Sequence, residues 1–140
     1  RRNNMPALKN YHILISHSWT YSAQYNTICS WFDNTVYFTW SNYSVCCNNP
    51  LDTKNDTELK EKLRNRISSA SCIVVLAGMY ATYSKWIDFE IETAQAMNKP
   101  IIGVKPWGQG RVPLKIQNAS CEMVGWNSSS IINAVRKYAL

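Results

Sequence analysis

The chain has 140 residues, 46% of them hydrophobic and 12% aromatic, which is enough apolar material for one packed core. Its apolar runs, such as Cys72 to Ala77 and Ile101 to Val104, fall far short of the roughly 20 residues of a membrane-spanning helix, so no bilayer-crossing segment is expected. Half of the formal charge of +6 comes from Arg1, Arg2 and Lys9, and the other cations are scattered or mixed with acids, which argues against a nucleic-acid partner.

Residues 1 to 9 are basic but lack an apolar stretch and a small-residue cleavage site, so they read as a flexible N-terminal tail rather than a secretory signal. Residues 10 to 140 read as a single domain. Tyr11-His12-Ile13-Leu14-Ile15 opens it as a short, largely apolar run rich in β-branched residues, the pattern of a strand buried on both faces. A helix is predicted over 20 to 32 and a weaker strand near Val36 to Trp40. The next helix, 56 to 69, is opened by an Asn55-x-x-Glu58 capping box. Its face Glu58 to Arg64 alternates charge at helical spacing, as a solvated surface does. Cys72 to Ala77 is the second strongly apolar strand. A helix over 84 to 98, opened by Ser84, leads to the third, Pro100 to Val104. A weaker strand near Met123 to Gly125 and a helix over 129 to 139, opened by Ser128, complete the chain.

Five strands alternating with helices predict an α/β fold: a flavodoxin-like three-layer sandwich, with a five-stranded parallel sheet and helices on both faces. Ligands in such sheets sit outside the carboxyl ends of the strands. Four segments should line that edge: 16 to 21, 42 to 52, 78 to 86 and 105 to 112. Ser16-His17 and Ala77-Gly78 stand where phosphoacceptor receivers need acids. Ser16-His17-Ser18-Trp19-Thr20 has no glycine to let the backbone approach a pyrophosphate, so a Rossmann-style cofactor site is not expected. The five cysteines are odd in number and form no CxxC pair, which fits a reducing cytoplasm better than a disulfide framework. The adjacent Cys46 and Cys47 lack further thiolate or imidazole partners at metal-site spacing, so no metal is expected. Cys29, Cys72 and Cys121 read as small buried apolar residues.

The third edge segment carries the chemistry. Ile87, Ile91 and Ala94 fall at helical spacing and should face the sheet, which puts Trp86 and Glu90 together on the adjacent flank, with Asp88 and Glu92 toward water. Placed in the second turn of a helix that starts at the ligand edge, Glu90 should be kept ionised by the positive end of the helix dipole. Glycoside chemistry ordinarily needs two carboxyl groups. NAD removes that need, because its pyridinium leaves as neutral nicotinamide without a proton, and one carboxylate can stabilise the oxocarbenium-like ribose that remains. The plainer reading of Glu90 is a good helix former, and of Trp86 a core or rim ring. Trp31, Trp40 and Trp126 read as core, His12 as a strand residue and His17 as a loop residue.

Ser84-Lys85-Trp86-Ile87-Asp88-Phe89-Glu90 resembles the Ser-x-Trp-x-x-x-Glu signature of TIR domains. Ile15-Ser16-His17-Ser18-Trp19, Asn42-Tyr43-Ser44-Val45, Ala77-Gly78-Met79-Tyr80, Lys105-Pro106-Trp107-Gly108 and Val124-Gly125-Trp126-Asn127 extend the resemblance, in order, over residues 11 to 138. They look like the bacterial TIR-like family that includes the sensor proteins of Thoeris anti-phage systems. The resemblance implies an enzyme that cleaves NAD, as substrate rather than cofactor, to nicotinamide and a linear, cyclic or conjugated ADP-ribose product. It implies Glu90 as the catalytic carboxylate and Ser16, His17, Ser18, Trp19, Tyr43, Ser44, Tyr83 and Trp86 as substrate-binding residues, with Tyr43 and Ser44 opening the loop that corresponds to the TIR BB loop. A phage-derived activator, self-association and a separate effector that reads the nucleotide signal are implied partners. One departure stands out: Cys46-Cys47-Asn48-Asn49 occupies the place of a proline followed by charged residues. The alternative function is a TIR-like assembly module that binds nucleotide without turnover. A nucleoside-processing transferase on the same fold is a third.

Overall fold

The computed structural model describes residues 9–16, 22–45, 56–105 and 112–140, and of residues 22, 56 and 79–84 the backbone alone. Five strands, β1 (Asn10–Ser16), β2 (Thr39–Asn42), β3 (Cys72–Leu76), β4 (Ile101–Val104) and β5 (Glu122–Val124), form one sheet in the order β2-β1-β3-β4-β5. Every adjacent pair is parallel. The connections are helical: α1 (Ser22–Asn34), α2 (Asp56–Ser69), a 3₁₀ turn (Ala77–Met79) running into α3 (Tyr80–Ala96), α4 (Leu114–Ala119) and α5 (Ser128–Tyr138). α1 packs with α5, and α2 with α3. The two pairs cover the faces of the sheet, which makes the fold the α/β sandwich that strand and helix alternation predicts.

Burial explains the strand pattern. All five residues of β3 and all four of β4 are buried, because helices cover both sides and no position alternates toward water. Ile28 and Phe32 of α1, Ile67 of α2, Ile87, Ile91 and Ala94 of α3, Ile116 of α4 and Ile131 and Val135 of α5 close on them in one continuous core. Trp31, Trp40 and Trp126 pack against that core as expected. Gly103, in β4, is closely covered by side-chain ends: a Cβ there would come 2.7 Å from Ser120 Oγ and 2.9 Å from Met123 Cε, and closer still to Met123 Sδ, so both side chains would have to shift. Gly103→Ala should therefore cost about 1–3 kcal/mol, read as a lower urea midpoint at unchanged slope.

Several boundaries differ from the sequence reading, each for a local reason. β2 starts at Thr39 rather than near Val36 because residues 35–37 turn, with Tyr37 in the left-handed region at φ 58°. The Val36 and Tyr37 carbonyls accept from Arg136 Nη2 at 3.3 Å each, so a cation on α5 holds the turn. α5 is capped by Asn127, whose side chain accepts from Ser130 N at 2.8 Å, and not by Ser128. α3 begins at Tyr80, four residues before Ser84, and ends where Asn98 takes φ 56° and Lys99 N–H reaches back to the Ala94 carbonyl. The short α4, with only Ile116 buried, has no sequence expectation behind it. Cys72 is buried, Cys29 half-buried and Cys121 exposed, so the reading of Cys121 as a buried residue is corrected: it lies in the turn before the edge strand β5. Asn55, of the expected capping box, lies outside the described residues. Among the described residues no helix is long and apolar enough to cross a membrane.

Candidate active site

The strand order reverses between β1 and β3, the switch point at whose carboxyl ends sheets of this kind bind ligands. β1 ends there in Ser16, and α3 rises from the end of β3. Among the described residues Ser16 and Glu90 are the two buried polar or charged side chains, 2% and 7% exposed. They meet: Ser16 Oγ donates to Glu90 Oε1 at 2.8 Å. A carboxyl taken out of water at a strand end is costly, and an apolar residue would fill the place more cheaply. That cost, at the edge where this architecture binds ligands, makes the pair the candidate functional site.

The electrostatics differ from the sequence expectation. Because α3 starts at Tyr80, Glu90 is its eleventh residue and lies in the third turn, beyond the reach of the dipole at the helix start. Burial pushes its carboxyl up to about 7, and the Ser16 hydrogen bond pulls weakly in the other direction. Glu90 is therefore divided between acid and carboxylate near neutrality rather than held ionised. Asp88 and Glu92 lie on the other side of α3, where Lys115 of α4 comes within 3.2 Å and 2.6 Å of them. Glu92 is mostly exposed, whereas Asp88 Oδ1 is shielded from water against that ammonium.

The remaining expected site residues separate. Ser44 lies just past β2, and its Oγ accepts from the Ile15 N–H at 2.9 Å, one residue from Ser16. Tyr43 stacks on His12 with ring centroids 4.7 Å apart, and Arg66 of α2 lies 5.4 Å from the same ring. His12 Nδ1 in turn lies 3.2 Å from the Ser69 carbonyl. Trp86 is half-buried with Phe89 against a small cluster of Val45, Leu59 and Leu63, and Lys85 lies 5.0 Å over its ring. His17, Ser18, Trp19 and the side chain of Tyr83 lie outside the described residues, as does the 46–50 segment. Asn42 is a residue the sequence reading did not single out: its Oδ1 accepts from Ser44 N at 2.9 Å and its Nδ2 donates to Tyr25 Oη at 2.5 Å. The Asn-x-Ser spacing of an Asx turn was the available signal. Among the described residues no three His, Cys, Asp or Glu side chains gather as a metal site requires.

A parallel five-stranded sheet in this order, covered by helices, belongs to the open doubly wound α/β folds. Within that class the chain belongs to the family of the Thoeris protein ThsB, TIR-like domain, whose model matches residues 14–111 and so includes both Ser16 and Glu90. A search of curated proteins finds no match. Among solved structures it is similar to the Clostridium botulinum CMP N-glycosidase BcmB, with TM-score 0.55 and 12% identity over 89% of this chain and 98% of that one. It is also similar to a 3-dehydroquinate dehydratase-like protein from Bifidobacterium longum, with TM-score 0.50 and 7% identity over 92% and 94%. At such identities the likeness concerns the fold.

Proposed function

We propose that this domain cleaves the N-glycosidic bond of NAD within a Thoeris-type defence response, with Glu90 as the catalytic carboxylate. The observation that carries the reading is the buried Glu90 at the ligand edge of the sheet, held by Ser16. Family membership and the occurrence of an N-glycosidase on a similar fold support it. In the proposed step the bond between the anomeric carbon of ribose and the nicotinamide nitrogen breaks, and its electron pair leaves with the base, which turns a pyridinium into neutral nicotinamide. The cationic ribose that remains is stabilised by the Glu90 carboxylate in a low-dielectric setting. Water, or a hydroxyl of the substrate, then attacks and loses its proton. Trp86, one helical turn before Glu90, offers its remaining ring surface to a base. The ADP-ribose product serves as a signal to a separate effector, and self-association and a phage-derived activator belong to the same proposal.

The position of the Glu90 equilibrium near neutrality favours one second reading, cleavage of a nucleotide whose neutral base must be protonated to leave, for which the acid form would be the active one. One experiment addresses both: NAD and CMP are each incubated with the protein, with and without extract of phage-infected cells, and base release is followed for wild type and Glu90→Gln. Nicotinamide release by wild type alone is expected, reduced by about a thousandfold or more in the variant. Equal release by the two proteins would remove Glu90 from the mechanism, and cytosine release alone would select the second reading. No release of either base under any condition would leave a nucleotide-binding assembly module.

A further inference from the structure

β1 outruns its edge neighbour. β1 continues to Ser16, whereas β2 stops at Asn42, the partner of Ile13. The Tyr43 N–H still donates to the Ile13 carbonyl at 2.8 Å, as a strand residue would. At the next place a backbone carbonyl of β2 should receive the Ile15 N–H, and the Ser44 hydroxyl receives it instead. This substitution needs the chain turned so that a side chain stands where main chain would. Asn42 provides the turn by accepting the Ser44 N–H, and it is anchored to α1 through Tyr25. The residue after Ile15 is Ser16, which holds Glu90.

We propose that Ser44, turned by Asn42, is a positioning residue that fixes the end of β1 and thereby the seat of the Glu90 carboxyl, rather than a residue reserved for substrate. It acts through backbone: the Ser44 hydroxyl holds the Ile15 amide, and the adjoining Ser16 presents its own hydroxyl to Glu90. The start of the loop after β2 is thus tied to the carboxylate through two side-chain hydrogen bonds, the Ile15 amide to Ser44 and Ser16 to Glu90, joined by the intervening peptide. Of the charged groups on α3 beside Glu90, Asp88 and Glu92 are tied to Lys115 on the other side of the helix.

The test separates this role from catalysis itself. Protein carrying ¹³C-carboxyl glutamate is titrated without substrate, with Glu90→Gln used to assign the Glu90 resonance. Because the Ser16 hydroxyl draws the Glu90 midpoint down, Ser16→Ala should raise it. Ser44→Ala should raise it in the same direction, by about half a unit to one unit, and Ser44→Thr, which keeps the hydroxyl, should restore it. In the kinetic arm, which alone rests on the proposed function, Ser44→Ala should lower kcat about tenfold at unchanged KM. A wild-type midpoint in folded Ser44→Ala, or a rise confined to KM, would overturn the assignment. Should Glu90→Gln leave base release intact, the catalytic proposal falls while the titration still decides the role of Ser44.

Discussion

Nicotinamide release should rise about tenfold for each pH unit below pH 7 and level off above it. The sign follows from the form of Glu90 that the proposed step uses. An electron-poor ribose is stabilised by the carboxylate, and burial pushes Glu90 up to about 7, so the active form is scarce in acid and dominant in base. At about pH 5 only about one molecule in a hundred carries the charge, so the expected span of kcat is about a hundredfold. A substrate whose base leaves protonated would give the opposite limb, with activity falling above pH 7. Removing the hydroxyl in Ser16→Ala should shift the inflection upward, since that hydrogen bond favours the ionised form. The measurement is a pH–rate profile with NAD at saturating concentration. A flat profile through neutrality would detach the rate from Glu90.

The same carboxyl should make the protein less stable as pH rises. Its folded value of about 7 lies above the ordinary 4.5, so the folded state favours the protonated form. Below pH 4.5 folded and unfolded chains both hold the proton and the group costs nothing. From there through pH 7 the folded chain increasingly bears a buried charge, and above pH 7 the penalty is complete at about 3 kcal/mol. Glu90→Gln keeps the shape and the acceptor for Ser16 but cannot ionise. It should match wild type at about pH 4 and exceed it by about 3 kcal/mol at about pH 8, roughly a hundredfold or more in the unfolding equilibrium. Urea unfolding of both proteins across that window measures the gap. Parallel curves would show that Glu90 is better solvated than its position in the fold indicates. A substitution that removes activity and adds stability would mark a group kept for what it does rather than for packing.

The fold was legible because the central strands are apolar on both faces. Tyr11 to Ile15, Cys72 to Ala77 and Pro100 to Val104 announce a covered parallel sheet with no tertiary information. The weak strand expected near Val36 starts later, at Thr39, because residues 35–37 turn, and that turn is held by Arg136, a hundred residues away from Val36. α4 escaped notice because a six-residue helix with one buried side chain has no readable period. Glu90 could be singled out as a candidate from its place on a helix at the expected ligand edge and from the Ser84-x-Trp86-x-x-x-Glu90 resemblance. Its partner was another matter: Ser16 is 74 positions away and the bond exists only once β1 and α3 are assembled. The ionisation state was read with the wrong sign for a related reason. A helix dipole can be inferred from local sequence, whereas burial is a property of the finished fold.

The margins of the sheet bear on how copies of this chain could gather. β5 offers three residues and is led by the charged Glu122, with Cys121 exposed before it. β2 offers four, Thr39–Asn42. Neither rim presents the long, flat backbone template on which fibrils grow strand by strand. Among the described residues, strand addition at either rim could therefore form only a few main-chain hydrogen bonds.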